Sequence, residues 1–80
     1  MNINNEASVA TNLLRLQLSN LRKSKHMTQK ELAEKANLSI NTISEIENIN
    51  TGNNFTIHSV MKYIVALESE IYLKPINVED

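Results

Sequence analysis

Hydrophobic residues recur at helical spacing over most of this chain. Leu14, Leu18 and Leu21 fall at i, i+4 and i+7, one face of a helix predicted from about Ala10 to Lys25. Leu13 and Leu16 lie off that face and are surplus to the core of a single chain. The next start signal is complete. Thr28-Gln29-Lys30-Glu31 has the S/T-x-x-E form of a capping box, and Met27 and Leu32 take the two positions of a hydrophobic staple. This helix is short, because Asn37 follows Ala36 and asparagine tolerates the left-handed conformation that ends helices.

A further start comes two residues later. Ser39 can cap a helix through Ser39-Ile40-Asn41-Thr42, with Leu38 and Ile43 as a second staple and Ile43 and Ile46 facing inward. Helices joined by nothing more than Asn37-Leu38-Ser39 must cross steeply. Asn48 to Asn54 reads as a polar loop around Gly52, and Ile57, Val60, Met61, Ile64 and Leu67 mark a fourth helix. From Glu70 to Ile76 the pattern changes to alternation with β-forming residues, which predicts a strand. A lone strand in a helical protein leaves backbone groups unpaired. Pairing with the same strand of a second copy across a two-fold axis resolves this. The alternatives are a tail without fixed structure or a strand lying on its own domain.

Composition bounds the function. A chain of 80 residues makes one domain, which excludes an enzyme with an interdomain cleft. Hydrophobic residues at 41% and charged residues at 21% give a globular composition. Cysteine is absent, so disulfides and thiolate chemistry are excluded. No apolar run approaches the roughly 18 residues of a membrane span, and MNINNEAS does not read as a signal peptide. A cytoplasmic protein without membrane contact is expected. The net charge of −1 hides a split. Residues 11–30 carry Arg15, Arg22, Lys23, Lys25 and Lys30 and no acid, whereas residues 66–80 carry Glu68, Glu70, Glu79 and Asp80 against Lys74. One end could face phosphate while the other repels it, although a solvated basic face would show the same pattern.

The run Leu21-Arg22-Lys23, then Met27-Thr28-Gln29-Lys30-Glu31-Leu32-Ala33-Glu34-Lys35-Ala36, then Leu38-Ser39-Ile40-Asn41-Thr42-Ile43-Ser44-Glu45-Ile46-Glu47-Asn48 resembles the helix-turn-helix core of the Cro/repressor-like (XRE) family. The tail Val65-Ala66-Leu67-Glu68-Ser69-Glu70-Ile71-Tyr72-Leu73-Lys74-Pro75 is similar to the HipB-type antitoxins of that family. The resemblance implies an all-α, lambda-repressor-like bundle of four to five helices with a short C-terminal β-strand pairing across a dimer. Residues 1–9 would then be a flexible lead-in, 10–68 the helix-turn-helix domain, and 69–80 the dimerising strand and tail with Ile71, Tyr72 and Leu73 at its centre. Two departures stand out. Ile49, Asn50 and Thr51 occupy positions where the family often has glycine and basic residues, which removes phosphate contacts, and Asn37 replaces a frequent glycine.

In this motif the second helix of the pair, here about Ile40 to Asn48, enters the major groove. With Ile43 and Ile46 inward, Ser39, Ile40, Asn41, Ser44 and Glu45 are left to face base edges. Asn41 can bond adenine N6 and N7 together, Ile40 would suit a thymine methyl, and Glu45 could accept from cytosine N4. Each also has a plain reading: solvated polar residue, packing at the turn, or orienting a neighbour. Thr28 and Gln29 sit at the first turn of the preceding helix, where amides and dipole favour a phosphate. The resemblance adds the Gln29 side chain and Asn48 as phosphate contacts, with Thr42 or Ser44 as further ones. Lys23, Lys25 and Lys30 would contribute charge. The resemblance makes Arg22 and Glu47 a partly buried ion pair tying the first helix to the third.

Enzymatic function would need a nucleophile with its base, a carboxylate pair in a cleft, or a metal. His26 and His58 are far apart in sequence, and Glu31 and Glu34 serve capping and a solvated face. No catalytic residue, metal ligand or cofactor site is assigned. The expected function is a transcriptional repressor that binds double-stranded DNA as a homodimer on a palindromic operator. It would act as the autoregulating antitoxin of a HipA-type kinase toxin. The alternatives are a stand-alone or phage-type repressor without a toxin, or a protein-interaction module that binds DNA weakly.

Overall fold

The computed structural model of the chain describes residues 2–76. Four helices follow in order: α1 (Ile3–Ser24), α2 (Gln29–Ala36), α3 (Ile40–Glu47) and α4 (Ile57–Ala66). Among the described residues no helix is long and apolar enough to cross a membrane.

α1 starts seven residues earlier than its leucine spacing indicates. Asn2 caps it, its side chain accepting from the amides of Asn4 and Asn5, so the segment expected to be a flexible lead-in is helical from Ile3 onward. A good cap and the lack of any breaker extend the helix beyond its buried face. Thr28 and Glu31 form a complete capping box on α2, and Ser39 and Thr56 cap α3 and α4 through the amides of Thr42 and Ser59. α3 ends at Glu47, with Asn48 as its cap.

The single glycine of the chain, Gly52, terminates no helix. Three helices end instead on His26, Asn37 and Glu68, each in the left-handed conformation with φ near 56°. The bonding repeats at each site. Met27, Leu38 and Ser69 donate back to the carbonyls of Arg22, Ala33 and Ile64, closing the same six-residue motif.

The core gathers Leu18 of α1, Leu32, Ala33 and Ala36 of α2, Ile43 and Ile46 of α3, and Val60, Tyr63, Ile64, Ala66 and Leu67 of α4 and its end. α1 contributes less apolar surface than its leucines suggest. Leu14 and Leu21 are only half-buried, and the positions buried beside Leu18 are Arg15, Ser19 and Arg22.

The expected C-terminal strand is absent among the described residues: there is no strand, and residues 69–76 have no regular secondary structure. A single chain offers this segment no edge with which to pair. It runs instead along a groove with Leu14, Gln17 and Leu21 of α1 and Ile64 of α4. Among the described residues there are four helices, against the expected four to five.

Candidate nucleic-acid interface

The turn between α2 and α3 sets the site. Left-handed Asn37 reverses the chain, Leu38 is half-buried against the core, and Ser39 opens α3 at once. Ile43 and Ile46 are fully buried, which fixes the rotation of α3 about its axis. Ser39, Ile40, Asn41 and Ser44 consequently face solvent, with Ile40 48% exposed although it is large and apolar. Glu45 is half-buried, and its backbone carbonyl accepts from Thr51 Oγ1 at 3.2 Å.

Several of the side chains expected to touch phosphate have internal partners. Thr28 Oγ1 accepts from the Glu31 amide, and Thr42 Oγ1 lies 2.9 Å from Ser39 Oγ. Asn48 Oδ1 accepts from the Asn50 amide at 2.9 Å. Gln29 Nε2 donates to Glu47 Oε1 at 3.0 Å, which holds the amide group at the junction of α2 and α3. Lys23, Lys25 and Lys30 are exposed.

Beneath this surface lies one buried polar network. Arg22 grips Glu47 with two bonds, Nε to Oε2 at 2.7 Å and Nη2 to Oε1 at 2.9 Å, and Nη1 donates to the Met27 carbonyl at 2.7 Å. The Tyr63 hydroxyl sits between the Leu18 carbonyl, 3.0 Å away, and the Glu47 carboxylate. Burial alone would raise the Glu47 carboxyl, but the bonds from Arg22, Tyr63 and Gln29 outweigh it and hold the group below the usual carboxylate range. The bond to Glu47 raises Arg22 in turn, and burial followed by the Glu47 bond pushes the Tyr63 phenol up. The network ties α1, the start of α2, the end of α3 and α4 into one frame under the exposed face of α3.

Sequence reasoning missed Arg15. It is 2% exposed, and its guanidinium bonds the carbonyls of Asn48, Thr51 and Gly52 and the side chain of Asn53, with the Phe55 ring 4.9 Å away. Arg15 therefore orders the loop that leaves α3 and does not face solvent. With Arg22 also buried, the basic segment presents three cations, Lys23, Lys25 and Lys30, in place of five. The signal was available: Arg15 and Arg22 are seven residues apart and share a helix face. Tyr63, buried beneath Glu47, carried no such signal.

Comparison with known proteins yields one match. A family model described as helix-turn-helix covers residues 18–70, well over half of the chain. No curated protein gives a significant match. No solved structure does so either. The matched span contains the capped helix pair, its tight turn and the Arg22–Glu47 tie. The chain belongs to the helix-turn-helix family of DNA-binding domains, in its XRE-like form.

Proposed function

We propose that this protein is a sequence-specific transcriptional repressor that reads the major groove with α3 as a homodimer on a palindromic operator. The observation that carries the reading is the outward row of Ser39, Ile40, Asn41 and Ser44 on a helix whose rotation two buried isoleucines fix. An exposed isoleucine beside an exposed asparagine suits a thymine methyl next to an adenine edge. Glu45 borders the row and adds cytosine selectivity. Thr28, Gln29 and Lys30 at the start of α2, Thr42 on α3, Asn48 at its C-cap, and Lys23 and Lys25 place the backbone. The Gln29 side chain, braced by Glu47, keeps its carbonyl oxygen and second N–H proton outside that bond.

Dimerisation through Ile71, Tyr72 and Leu73 is part of this proposal. All three are exposed, Tyr72 and Leu73 by more than 80%, and the single chain leaves their backbone without regular pairing. The tail's likeness to HipB-type antitoxins supports a second role, restraint of a HipA-type kinase toxin with autoregulation of the shared operon. A repressor without a toxin partner would use the same DNA face.

Selection from a randomised duplex library tests the function. The expected product is a palindrome with half-sites one helical turn apart or a multiple of it. Recovery of unselected sequence would contradict specific repression. Co-purification of a kinase-like protein encoded by the neighbouring reading frame would establish the toxin partner, and its absence would leave the stand-alone repressor.

A further inference from the structure

The first helix carries a second apolar face that the single chain does not use. Asn2, Glu6, Val9, Leu13, Leu16, Asn20 and Lys23 recur at steps of three and four, so they form one seam along α1. The seam lies on the other side of the helix from the buried Arg15, Leu18, Ser19 and Arg22. Its apolar centre is open to solvent: Val9 is 59%, Leu13 56% and Leu16 47% exposed. Residues 2–10 are exposed on every side, yet they are helical from Ile3. Two turns of helix with so little buried surface are marginal in water.

The seam is complementary to itself in one orientation. It reads polar and acidic at the N-terminal end (Asn2, Glu6), apolar in the middle, and polar and basic at the C-terminal end (Asn20, Lys23). An antiparallel pair with its two-fold axis near residues 12 and 13 sets Val9 against Leu16 and Leu13 against Leu13. It also brings Glu6 to the Asn20–Lys23 end of the other copy. A parallel pair would set Glu6 against Glu6 and Lys23 against Lys23, which repel.

The three apolar side chains alone fall short of the roughly 800 Å² per partner of a stable interface. The tail supplies the rest. Ile71, Tyr72 and Leu73 line the groove on the flank of the same helix, beside Leu14, Gln17 and Leu21. We infer that the α1 seam is a dimer interface whose occupant is the antiparallel α1 of a second copy, continuous with the tail contact. This inference rests on the homodimer reading above and adds a contact to it.

The arrangement also suits the DNA face. α3 packs on the buried side of α1 through Arg22–Glu47 and Arg15–Asn48. The path α3–α1–α1–α3 covers three interhelical spacings of about 8–10 Å, so the two α3 helices lie at most about 30 Å apart. That upper bound falls a few ångströms below the roughly 34–36 Å of one duplex turn, within reach of the side chains that α3 extends into the groove.

Sedimentation equilibrium of the full chain tests the interface. Leu13→Asp with Leu16→Asp should raise the dimer dissociation constant by about a hundredfold or more, because each puts an unpaired carboxylate into the contact. Both positions are exposed, so the helical circular dichroism should be unchanged. Glu6→Lys or Lys23→Glu alone should weaken the dimer, and the two together should restore it. The chain has no cysteine, so Leu13→Cys, at the exposed position set against its own copy, provides an independent readout in case the aspartates unfold α1. It should cross-link two copies rapidly under mild oxidation. An unchanged dimer in the aspartate variant, or no cross-link, would overturn the inference while leaving the tail reading to its own variant, Ile71→Asp with Leu73→Asp. A wild-type chain that stays monomeric at every concentration would overturn both.

Discussion

Single side chains divide the α2–α3 surface into groups that read sequence and groups that hold position. Asn41 is exposed on α3 and Lys30 is exposed near the start of α2. Asn41→Ala should relax preference at one base position at a cost of about 1–3 kcal/mol, whereas Lys30→Ala should weaken all duplexes alike and reduce the salt slope by about 1. Equal losses on specific and random DNA for Asn41→Ala would remove its base-reading role. Glu47 answers to pH. Its folded carboxyl titrates below its ordinary value of 4.5, so the stability it confers is fully present above that value and disappears as pH falls through the lower, folded one. The thermal midpoint should therefore drop as pH falls below about 4.5. Glu47→Gln, less stable at neutral pH, should follow a flatter curve in that acid window. Parallel curves for the two proteins would contradict the linkage.

Among the elements, the helix ends are the least ordinary feature. His26, Asn37 and Glu68 hold the left-handed conformation where glycine is the easiest residue. A non-glycine residue costs about 1–2 kcal/mol there, and glycine gives back part of that through its looser unfolded state. His26→Gly, at an exposed position, should therefore stabilise the fold by about 0.5–1 kcal/mol, read as a higher denaturant midpoint with unchanged slope. A lower midpoint would mean that the imidazole does more than end α1. The capping box of α2 and the inward Ile43 and Ile46 of α3 were legible in the sequence because both signals are local and periodic. The start of α1 was not, since Asn2 caps a stretch with no buried face to mark it. Arg15 was counted as surface charge although its seven-residue spacing from Arg22 put both on one helix face, because polarity alone does not announce burial. Its partners are loop carbonyls that only the folded chain brings within reach. The alternating tail has the composition of a strand, but strand structure needs a neighbour that a single chain does not supply.

For the whole molecule, the outer seam of α1 and the tail each gather three or more exposed apolar residues, while Ile3, Ile40, Ile49, Ile57 and Val65 stand exposed elsewhere. Ile71→Asp with Leu73→Asp should shift the chain toward monomer in sedimentation, and an unchanged mass would refute tail-mediated dimerisation. Halving the assembly should weaken operator binding far more than random-duplex binding, because a palindrome is read only by two copies together. The central claim is that the α3 face recognises DNA sequence, and fluorescence anisotropy tests it most directly. The titration compares the duplex upstream of the protein's own gene with a random duplex at several salt concentrations. Tighter binding to the upstream duplex, with both affinities falling steeply as salt rises, is the predicted result. Equal affinity for the two duplexes, or no binding at low salt, would contradict it.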